Sequence, residues 1–365
     1  MRLIATKSLH ENDSLGKAIY NDNGQVLIRS GVPLSQRMID RLLEIGVAFV
    51  YVKDEKTDDI EVNDVITEKT RQRAFQTIKT EFESIADEMR LSKSINRDQL
   101  GKNFSSIVDS ILADVKSNKE AISLLSDVFL YDNYIFAHSL NVTIYSLGLA
   151  LEMKLSDKQL KEIGLGAMLH DVGKMAIPPE ILNKPGRLTD EEFDVIKRHP
   201  KAGFDLLRNI PNMPLLAAHC AFQHHERLNG SGYPRNLTSS DIHLYAKIIG
   251  IADVFDAVTS HRVYRKAMLP HEGLEILYAG AGTQFDKDML EAFARTVAMY
   301  PVGLTVDLSD GRKAVVVKQN QHMSARPVVR IIEENDQELP EPYEIDLMVE
   351  TNITIVETEA TLADG

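Results

Sequence analysis

The sequence predicts a mainly α-helical protein with a small α/β unit at its N-terminus and a small β unit at its C-terminus. From about residue 121 to residue 300, one apolar or amphipathic helix pattern follows another, with no convincing strand alternation. Near both ends of the chain, short β-branched runs flank Asn-Gly or Asp-Gly turns. We therefore divide the chain into residues 1–60, 61–114, 115–300 and 301–365.

The first unit carries strand, helix and strand signals in that order. AIYNDNGQVLIRSG predicts two short strands around an Asn23-Gly24 turn. SQRMIDRLLEIG predicts an amphipathic helix with Ser35 as its N-cap and Gly46 at its end. VAFVYV then predicts a short strand.

Residues 63–120 lack proline and predict two helices joined by the loop RLSKSINRD. The first helix is highly charged and has only a thin apolar stripe. We therefore expect a helical linker that connects domains or pairs two subunits as a homodimer.

The composition changes at Tyr300-Pro301, where the C-terminal β unit is expected to begin. LTVDLSDGRKAVVVKQ predicts a hairpin around Asp310-Gly311, and RPVVRIIEE and ITIVET predict two further strands.

Charge and composition exclude several classes of protein. The net charge of −13 argues against a DNA or RNA partner, because nucleic-acid coating needs a basic face. We find no long uncharged apolar run and no apolar N-terminal signal, so neither a membrane span nor secretion is expected. The single cysteine, Cys220, fits a reducing cytoplasm and, within LLAAHCAF, predicts a small buried hydrophobe.

The stretch LHDVGK places His, Asp and Lys after the small apolar residues of EIGLGAM. If one helix runs through it, a single stripe carries five residues: Ile163, Ala167, His170, Asp171 and Lys174. That stripe should face the core, where unpaired polar groups would be costly. We therefore expect these polar side chains to be satisfied by a ligand or by one another.

Further histidines and an aspartate lie in or at the ends of predicted helices: His138, His199, His224, His225 and Asp253. His199 is expected to close the helix TDEEFDVIKRH, which a capping box of Thr189 and Glu192 opens, with Pro200 starting the next turn.

This donor set predicts a metal centre. Mixed imidazole and carboxylate donors suit a borderline divalent transition metal: Fe or Mn, with Ni, Co or Zn as alternatives. Five histidines and two aspartates exceed one tetrahedral site and fit two ions that share a carboxylate. Such a pair would hold an oxyanion and turn a bridging water into a nucleophile near neutral pH.

HDVGK, followed by the RHP histidine, HHERLNGSGYP and ADVFDAVTSHRVYRKAM, resembles the HD-GYP branch of the HD phosphohydrolase superfamily over about residues 115–300. The resemblance implies an HD-type all-helical catalytic bundle with a two- or three-metal centre. It also implies hydrolysis of cyclic di-GMP to linear pGpG, sometimes continued to GMP, by a hydroxide that bridges the metals.

The resemblance also implies a role for each matched residue. One metal would be held by His138, His170, Asp171 and Asp253. The second would be held by Asp171, His199, His224 and His225, with Asp171 as the bridge. Lys174 would act with Asp171 in catalysis and contact phosphate. The other substrate contacts would be Gly232, Tyr233, Arg262 and Arg265, and Asp256 would orient a metal ligand.

One position departs from the pattern of some family members. Where those members place a glutamate, four residues before the first histidine, this chain has Tyr134. Tyrosine is a poor ligand near pH 7, so we predict two metals and pGpG as the main product.

Three alternatives remain open. The first is a non-catalytic sensor or scaffold for cyclic dinucleotides, the second a phosphodiesterase of cyclic GMP-AMP, and the third an HD phosphohydrolase of nucleotides such as dNTPs.

Overall fold

The computed structural model describes residues 1–20, 26–91, 97–118, 122, 134–184, 186–260, 267–320, 323–335 and 337–358. Within them, the predicted class is confirmed: helices form the body of the protein, and small strand units lie at the two ends of the chain.

Helix α4, Tyr134–Glu152, is the central helix of the body, and every residue from Phe136 to Ala150 is buried. It packs against helices that precede and follow it in the chain. By length and composition alone α4 could cross a membrane, but 83% of its most apolar window is buried inside the structure. Its apolar surface therefore forms protein core.

The remaining helices of the body follow in chain order. They are α5 Asp157–Leu169, α6 Pro179–Leu182, α7 Asp190–Ile196, α8 His199–Leu207, α9 Leu215–Gln223, α10 Leu244–Thr259, α11 Pro270–Ala279 and α12 Lys287–Thr296. Helices α4, α5, α9 and α10 pack on one another and so enclose the predicted polar residues.

The prediction of one helix through LHDVGK is wrong. Helix α5 ends at Leu169, and a 3-10 helix, Val172–Ala176, follows. The tighter turn suits close packing on α8, since a Cβ on Gly173 would lie 2.0 Å from the carbonyl oxygen of His199. His170 and Asp171 therefore lie at the junction of the two helices.

The prediction that His199 closes a helix is also wrong. Helix α7 opens with the expected capping box of Thr189 and Glu192, but it ends at Ile196. His199 instead begins α8, with Pro200 in its first turn, where the missing N–H of proline costs no helical hydrogen bond.

The two helices predicted before the body are α2, Glu68–Leu91, and α3, Arg97–Ser117. Their apolar stripes are buried in the same core as α4, and the rings of Phe82 and Phe136 meet edge to face at 5.9 Å. Because they share this core, α2 and α3 do not stand apart from the body as the charged pattern of α2 suggested.

The N-terminal unit contains β1 Arg2–Ala5, β2 Ile19–Tyr20, β3 Val26–Ile28, α1 Gln36–Glu44 and β4 Phe49–Val52. Strand β1 pairs with β4 and β2 with β3, both antiparallel. Ser35 caps α1 as predicted, accepting a hydrogen bond from the N–H of Met38. The Asn23-Gly24 turn lies outside the described residues.

The C-terminal unit is a five-stranded antiparallel sheet in the order β8-β7-β6-β5-β9. Its strands are β5 Thr305–Leu308, β6 Lys313–Lys318, β7 Val328–Glu334, β8 Gln337–Asp346 and β9 Ile355–Thr358. Four of these strands, β5, β6, β7 and β9, had been predicted, but β8 had not. Pro340 and Pro342 make the sequence of β8 resemble a loop. Both prolines are tolerated because β8 is an edge strand.

The two ends of the chain pack against each other. Leu3 and Phe49 share one apolar cluster with Leu304 and Val306. The N–H of Leu3 donates to the carbonyl of Gly303 at 2.8 Å, which joins the two units through their backbones. We use the name end unit below for residues 1–60 and 301–358 together.

Candidate metal centre

The polar residues predicted to form a metal centre meet in the middle of the helical body. Helix α4 supplies His138, the α5 junction supplies His170 and Asp171, and α10 supplies Asp253. The start of α8 and the end of α9 bring in His199, His224 and His225. All except His225 are less than a tenth exposed, and His225 is partly buried.

Four of these imidazoles are oriented by a hydrogen bond at Nδ1. His138 bonds to the Asp256 carboxylate at 2.6 Å. The other three bond to backbone carbonyls: His170 to Ala167 at 2.6 Å, His199 to Ile196 at 2.6 Å, and His224 to Ala221 at 3.0 Å. A carbonyl can only accept, so the Nδ1 atom facing it carries the hydrogen. The rings that face carbonyls, His170, His199 and His224, then keep a bare lone pair at Nε2 when they are neutral.

The Nε2 atoms of these four rings face one another in two pairs. Those of His138 and His170 are 3.3 Å apart, and those of His199 and His224 are 3.4 Å apart. Two lone pairs cannot form a hydrogen bond with each other, so each pair needs a proton or a metal ion between or beside its nitrogens. This arrangement fits metal ligands, which commonly donate their other ring N–H to a carbonyl or carboxylate.

Asp171 lies between the two histidine pairs. Its Oδ2 is 3.4 Å from Nε2 of His170, and its Oδ1 is 3.3 Å from Nε2 of His199. Oδ1 is buried and accepts no hydrogen bond from any described residue. A buried carboxylate oxygen without a donor is costly, and a cation at this position would remove that cost.

Two compact groups of donor atoms share the Asp171 carboxylate, and within each group all atoms lie within 4.8 Å of one another. One consists of His138, His170 and Asp171, and the other of Asp171, His199, His224 and His225. Asp253 lies outside both compact groups but contacts a member of each: Oδ1 is 3.1 Å from Nε2 of His138, and Oδ2 is 3.5 Å from Nδ1 of His225.

The electrostatics favour ionised carboxylates here. Burial opposes ionisation of Asp171, but the charge of Lys174 is the first cause that outweighs it, so the pKa of the carboxyl is held well below its usual range. For Asp253, burial is likewise outweighed, first by the hydrogen bond with His138, and its pKa is also well below its usual range. Both aspartates are therefore negative at neutral pH, as metal ligands must be.

The histidines divide into two kinds. Burial lowers the pKa of His224 to about 4 and holds the pKa of His225 well below its usual value, so both are neutral. For His138, burial acts in the same direction, but hydrogen bonds with Asp253 and Asp256 reverse it and raise the pKa. These two carboxylates attract positive charge to the His138 ring, whether a proton or a metal ion.

Lys174 lies at the edge of this centre. Its Nζ donates to Oδ2 of Asp171, and its side chain is partly exposed. Lys174 therefore places a positive charge between the buried Asp171 carboxylate and the solvent side of the site. Asp256, the predicted orienting residue, also accepts hydrogen bonds from Asn141 and Ser260, at 3.0 and 2.9 Å.

The Gly-Tyr-Pro segment packs directly on the metal centre. The Tyr233 ring stacks on His225, with centroids 4.6 Å apart and planes at 30°. Gly232 is buried against the protein backbone, since a Cβ there would be 2.4 Å from the carbonyl oxygen of His225. The close approach that Gly232 permits is thus to the peptide of a histidine, and its predicted contact with substrate stays a prediction.

Sequence reasoning missed two residues that shape this segment. Glu226, 4% exposed, accepts from the N–H groups of Arg235 and Leu237 at 2.8 and 2.9 Å. Arg227 donates to the carbonyl of His224 at 3.0 Å. The sequence signal that could have found them is the charged pair Glu226-Arg227, which directly follows the candidate ligands His224 and His225 at the end of an apolar helix.

Phe193 was also missed. It lies on α7, and its ring meets that of Tyr233 edge to face at 6.2 Å.

The predicted substrate contacts Arg262 and Arg265 lie outside the described residues. Cys220 is buried as expected, and burial raises the pKa of its thiol.

Comparison with known proteins identifies two parts of the chain. A family model described as an HD domain matches residues 113–289, and one described as a KOW domain associated with HD domain matches residues 305–361. The first covers most of the helical body, and the second covers the C-terminal sheet.

Three curated relatives are similar to this chain. The cyclic di-GMP phosphodiesterase PA4108 of Pseudomonas aeruginosa is 36% identical over 241 residues, covering 66% of this chain and 58% of the relative. The cyclic di-GMP phosphodiesterase response regulator RpfG of Xanthomonas campestris is 44% identical over 147 residues, covering 40% and 39%. The 3'3'-cGAMP-specific phosphodiesterase 1 of Vibrio cholerae is 36% identical over 168 residues, covering 46% and 39%.

The chain thus spans between 39 and 58% of the length of these relatives. The HD-domain match contains the HD pair, the paired histidines and the Gly-Tyr-Pro segment that pack together in the structure. Residues 113–289 therefore contain an HD domain, and this part of the chain is similar to relatives named as cyclic di-GMP phosphodiesterases.

Proposed function

We propose that this protein is a metal-dependent phosphodiesterase that hydrolyses cyclic di-GMP to linear pGpG. The observation that carries the proposal is the pair of donor groups that share Asp171, with Lys174 and Tyr233 beside them. Relatives named as cyclic di-GMP phosphodiesterases support the choice of substrate.

We assign one divalent ion to each donor group. His138, His170 and Asp171, joined by the neighbouring Asp253, would hold the first ion. Asp171, His199, His224 and His225 would hold the second. When bound, two such ions lower the pKa of water and neutralise charge on phosphate oxygens. Mixed nitrogen and oxygen donors favour Fe or Mn among the candidates.

Two ions are proposed because of the residue beside His138. Tyr134 stacks on that ring at 5.4 Å with planes at 17°, where some family members carry an acidic ligand. A neutral aromatic ring in this place supports a centre without a third ion, and hence pGpG as the end product.

The side chains around the donors have separate tasks. Lys174 contacts Asp171 from the solvent side, so its ammonium can pair with a phosphate oxygen as the substrate enters. Burial raises the pKa of Tyr233, so its phenol stays protonated and can donate a hydrogen bond. Asp256 fixes the tautomer of His138. Arg262 and Arg265 remain predicted substrate contacts.

The test is turnover of cyclic di-GMP by protein loaded anaerobically with Fe or Mn, with products separated by chromatography. We expect pGpG as the main product, and loss of turnover in Asp171→Asn. Elemental analysis with anomalous scattering should find two ions per chain. Full metal loading without any linear product would overturn the proposal, and tight binding without turnover would establish a sensor instead.

Cyclic GMP-AMP is the second candidate substrate, because a similar relative is specific for 3'3'-cGAMP. Direct comparison of kcat/KM for the two cyclic dinucleotides decides between them. The proposal predicts the higher value for cyclic di-GMP, and generic nucleotides such as dNTPs should compete with neither.

A further inference from the structure

Phe193 is the single exposed phenylalanine among those that the structure describes, with 44% of its surface accessible. A lone exposed apolar side chain needs no explanation. This one lies at the candidate active site, so its neighbours decide whether its exposure has a use.

A row of rings leads from the metal centre to Phe193. The Tyr233 ring lies 4.6 Å from the ring of His225 and 6.4 Å from that of His199, and Phe193 meets Tyr233 at 6.2 Å with planes at 80°. Tyr233 is partly buried, whereas Phe193 is exposed. The row therefore forms an aromatic wall that begins at the donor groups and ends in solvent.

The outer ring of this wall is held on a fixed element. Helix α7 is opened by its capping box, and Glu192 accepts two hydrogen bonds from Lys184, at 2.8 and 2.7 Å. Lys197, one turn after Phe193, places its Nζ 5.1 Å from the centre of the ring and also pairs with Asp194. A positioned aromatic ring binds planar groups with little loss of conformational entropy.

We propose that Phe193, together with Tyr233, forms a stacking subsite for one purine base of the substrate. The inference rests on the proposed function. In a nucleotide, one ribose separates the base from its phosphate. Here Tyr233 stacks on the candidate ligand His225, and the exposed ring of Phe193 contacts Tyr233. Phe193 is thus one ring further from the donor groups, as a base is one ribose further than its phosphate. Nucleobases stack on exposed aromatic rings, and Lys197 places a cation near the same ring.

The experiment compares Phe193→Ala, Phe193→Leu and Phe193→Trp in the metal-loaded full chain. Tyr278→Ala is the matched control, because Tyr278 is a similarly exposed ring, 40% accessible, on α11. The readouts are kcat and KM for cyclic di-GMP, bound metal per chain, and fluorescence of a cyclic dinucleotide in which 2-aminopurine replaces one base, since stacking quenches that fluorophore.

Removing the ring in Phe193→Ala should raise KM by about fivefold to a hundredfold, with kcat and metal content nearly unchanged. Phe193→Leu should behave in the same way although it keeps apolar bulk, which separates stacking from folding. Phe193→Trp should keep the wild-type KM and the quenching, and Tyr278→Ala should match the wild type.

A KM within twofold of wild type and undiminished quenching in Phe193→Ala would overturn the subsite while leaving the proposed function intact. A wild-type protein that holds its metals but neither binds nor hydrolyses cyclic dinucleotides would overturn both.

Discussion

The metal centre and the end unit are stabilised in opposite ways. The centre is a set of buried polar groups whose lone pairs converge, with facing Nε2 atoms 3.3 and 3.4 Å apart. The end unit has an apolar core, with its charged contacts at the rim, where Arg330 binds both carboxylate oxygens of Asp59 at 2.6 Å.

This contrast shows which buried polar groups of the protein need a bound ligand as their partner. Facing lone pairs and the Asp171 oxygen are unfavourable without a cation, so the centre is organised for binding. In the end unit the main contacts are complete within the chain, so its contribution is to stability. Substitutions in the two regions should therefore differ in what they change.

The largest effect is expected from Asp171→Asn. The amide keeps the size of the side chain but removes the charge that both donor groups share. Metal affinity should fall by at least about a hundredfold, the upper end of what losing an outer partner of a ligand costs, and turnover should be lost. Metal titration and cyclic di-GMP hydrolysis check this, with Asp205→Asn on α8 as the control. Normal metal content and turnover would contradict the shared role.

A smaller loss is expected from Asp256→Ala, which removes the partner that orients His138. Affinity for one metal, or activity, should fall about tenfold to a hundredfold. Stepwise metal titration should show the first donor group weakened and the second nearly unchanged. Equal weakening of both would mean that Asp256 acts on the fold of the whole centre.

Glu226 offers a test of the Gly-Tyr-Pro segment. Glu226→Ala leaves the N–H groups of Arg235 and Leu237 without their acceptor, at a cost of about 1–3 kcal/mol each if they stay buried. We expect a raised KM for cyclic di-GMP through a displaced Tyr233, with bound metal retained. Glu226→Gln keeps one acceptor oxygen and should recover part of the loss. Identical kinetics for both variants and the wild type would contradict this role.

The smallest effect belongs to the end unit. Arg330→Ala should lower the free energy of unfolding by about 1 kcal/mol or less, because Asp59 is largely exposed and solvent screens the pair. Turnover per folded chain should not change. A double-mutant cycle with Asp59→Ala measures the coupling.

The same pair predicts a pH dependence. The hydrogen bond from Arg330 lowers the pKa of Asp59 below its unfolded value of 3.8. A lowered folded-state pKa stabilises the protein above the unfolded value, and this stabilisation is lost as the pH falls through the folded-state pKa. The Arg330→Ala penalty should therefore shrink below about pH 4. A penalty that grows at acid pH would contradict the assignment.

Local signals were enough for much of the molecule. The capping residues Ser35 and Thr189 marked helix starts that the structure confirms, because a cap depends on residues within one turn. The HD pair and the paired histidines stood out because polar groups on apolar helices need a reason. Strand β8 was missed because its sequence contains two prolines, which a strand tolerates at the edge of a sheet.

Residue chemistry and helical periodicity, which depend on near neighbours, were sufficient to predict the helical class, the small strand units and the residues that could bind metal. The tertiary structure decided the rest: the break after Leu169, the place of His199 at the start of a helix, the ring of Phe193 beside Tyr233, and the union of the two chain ends. These features depend on contacts between residues far apart in sequence, where packing and the approach of one backbone to another decide the outcome, and no local pattern records them.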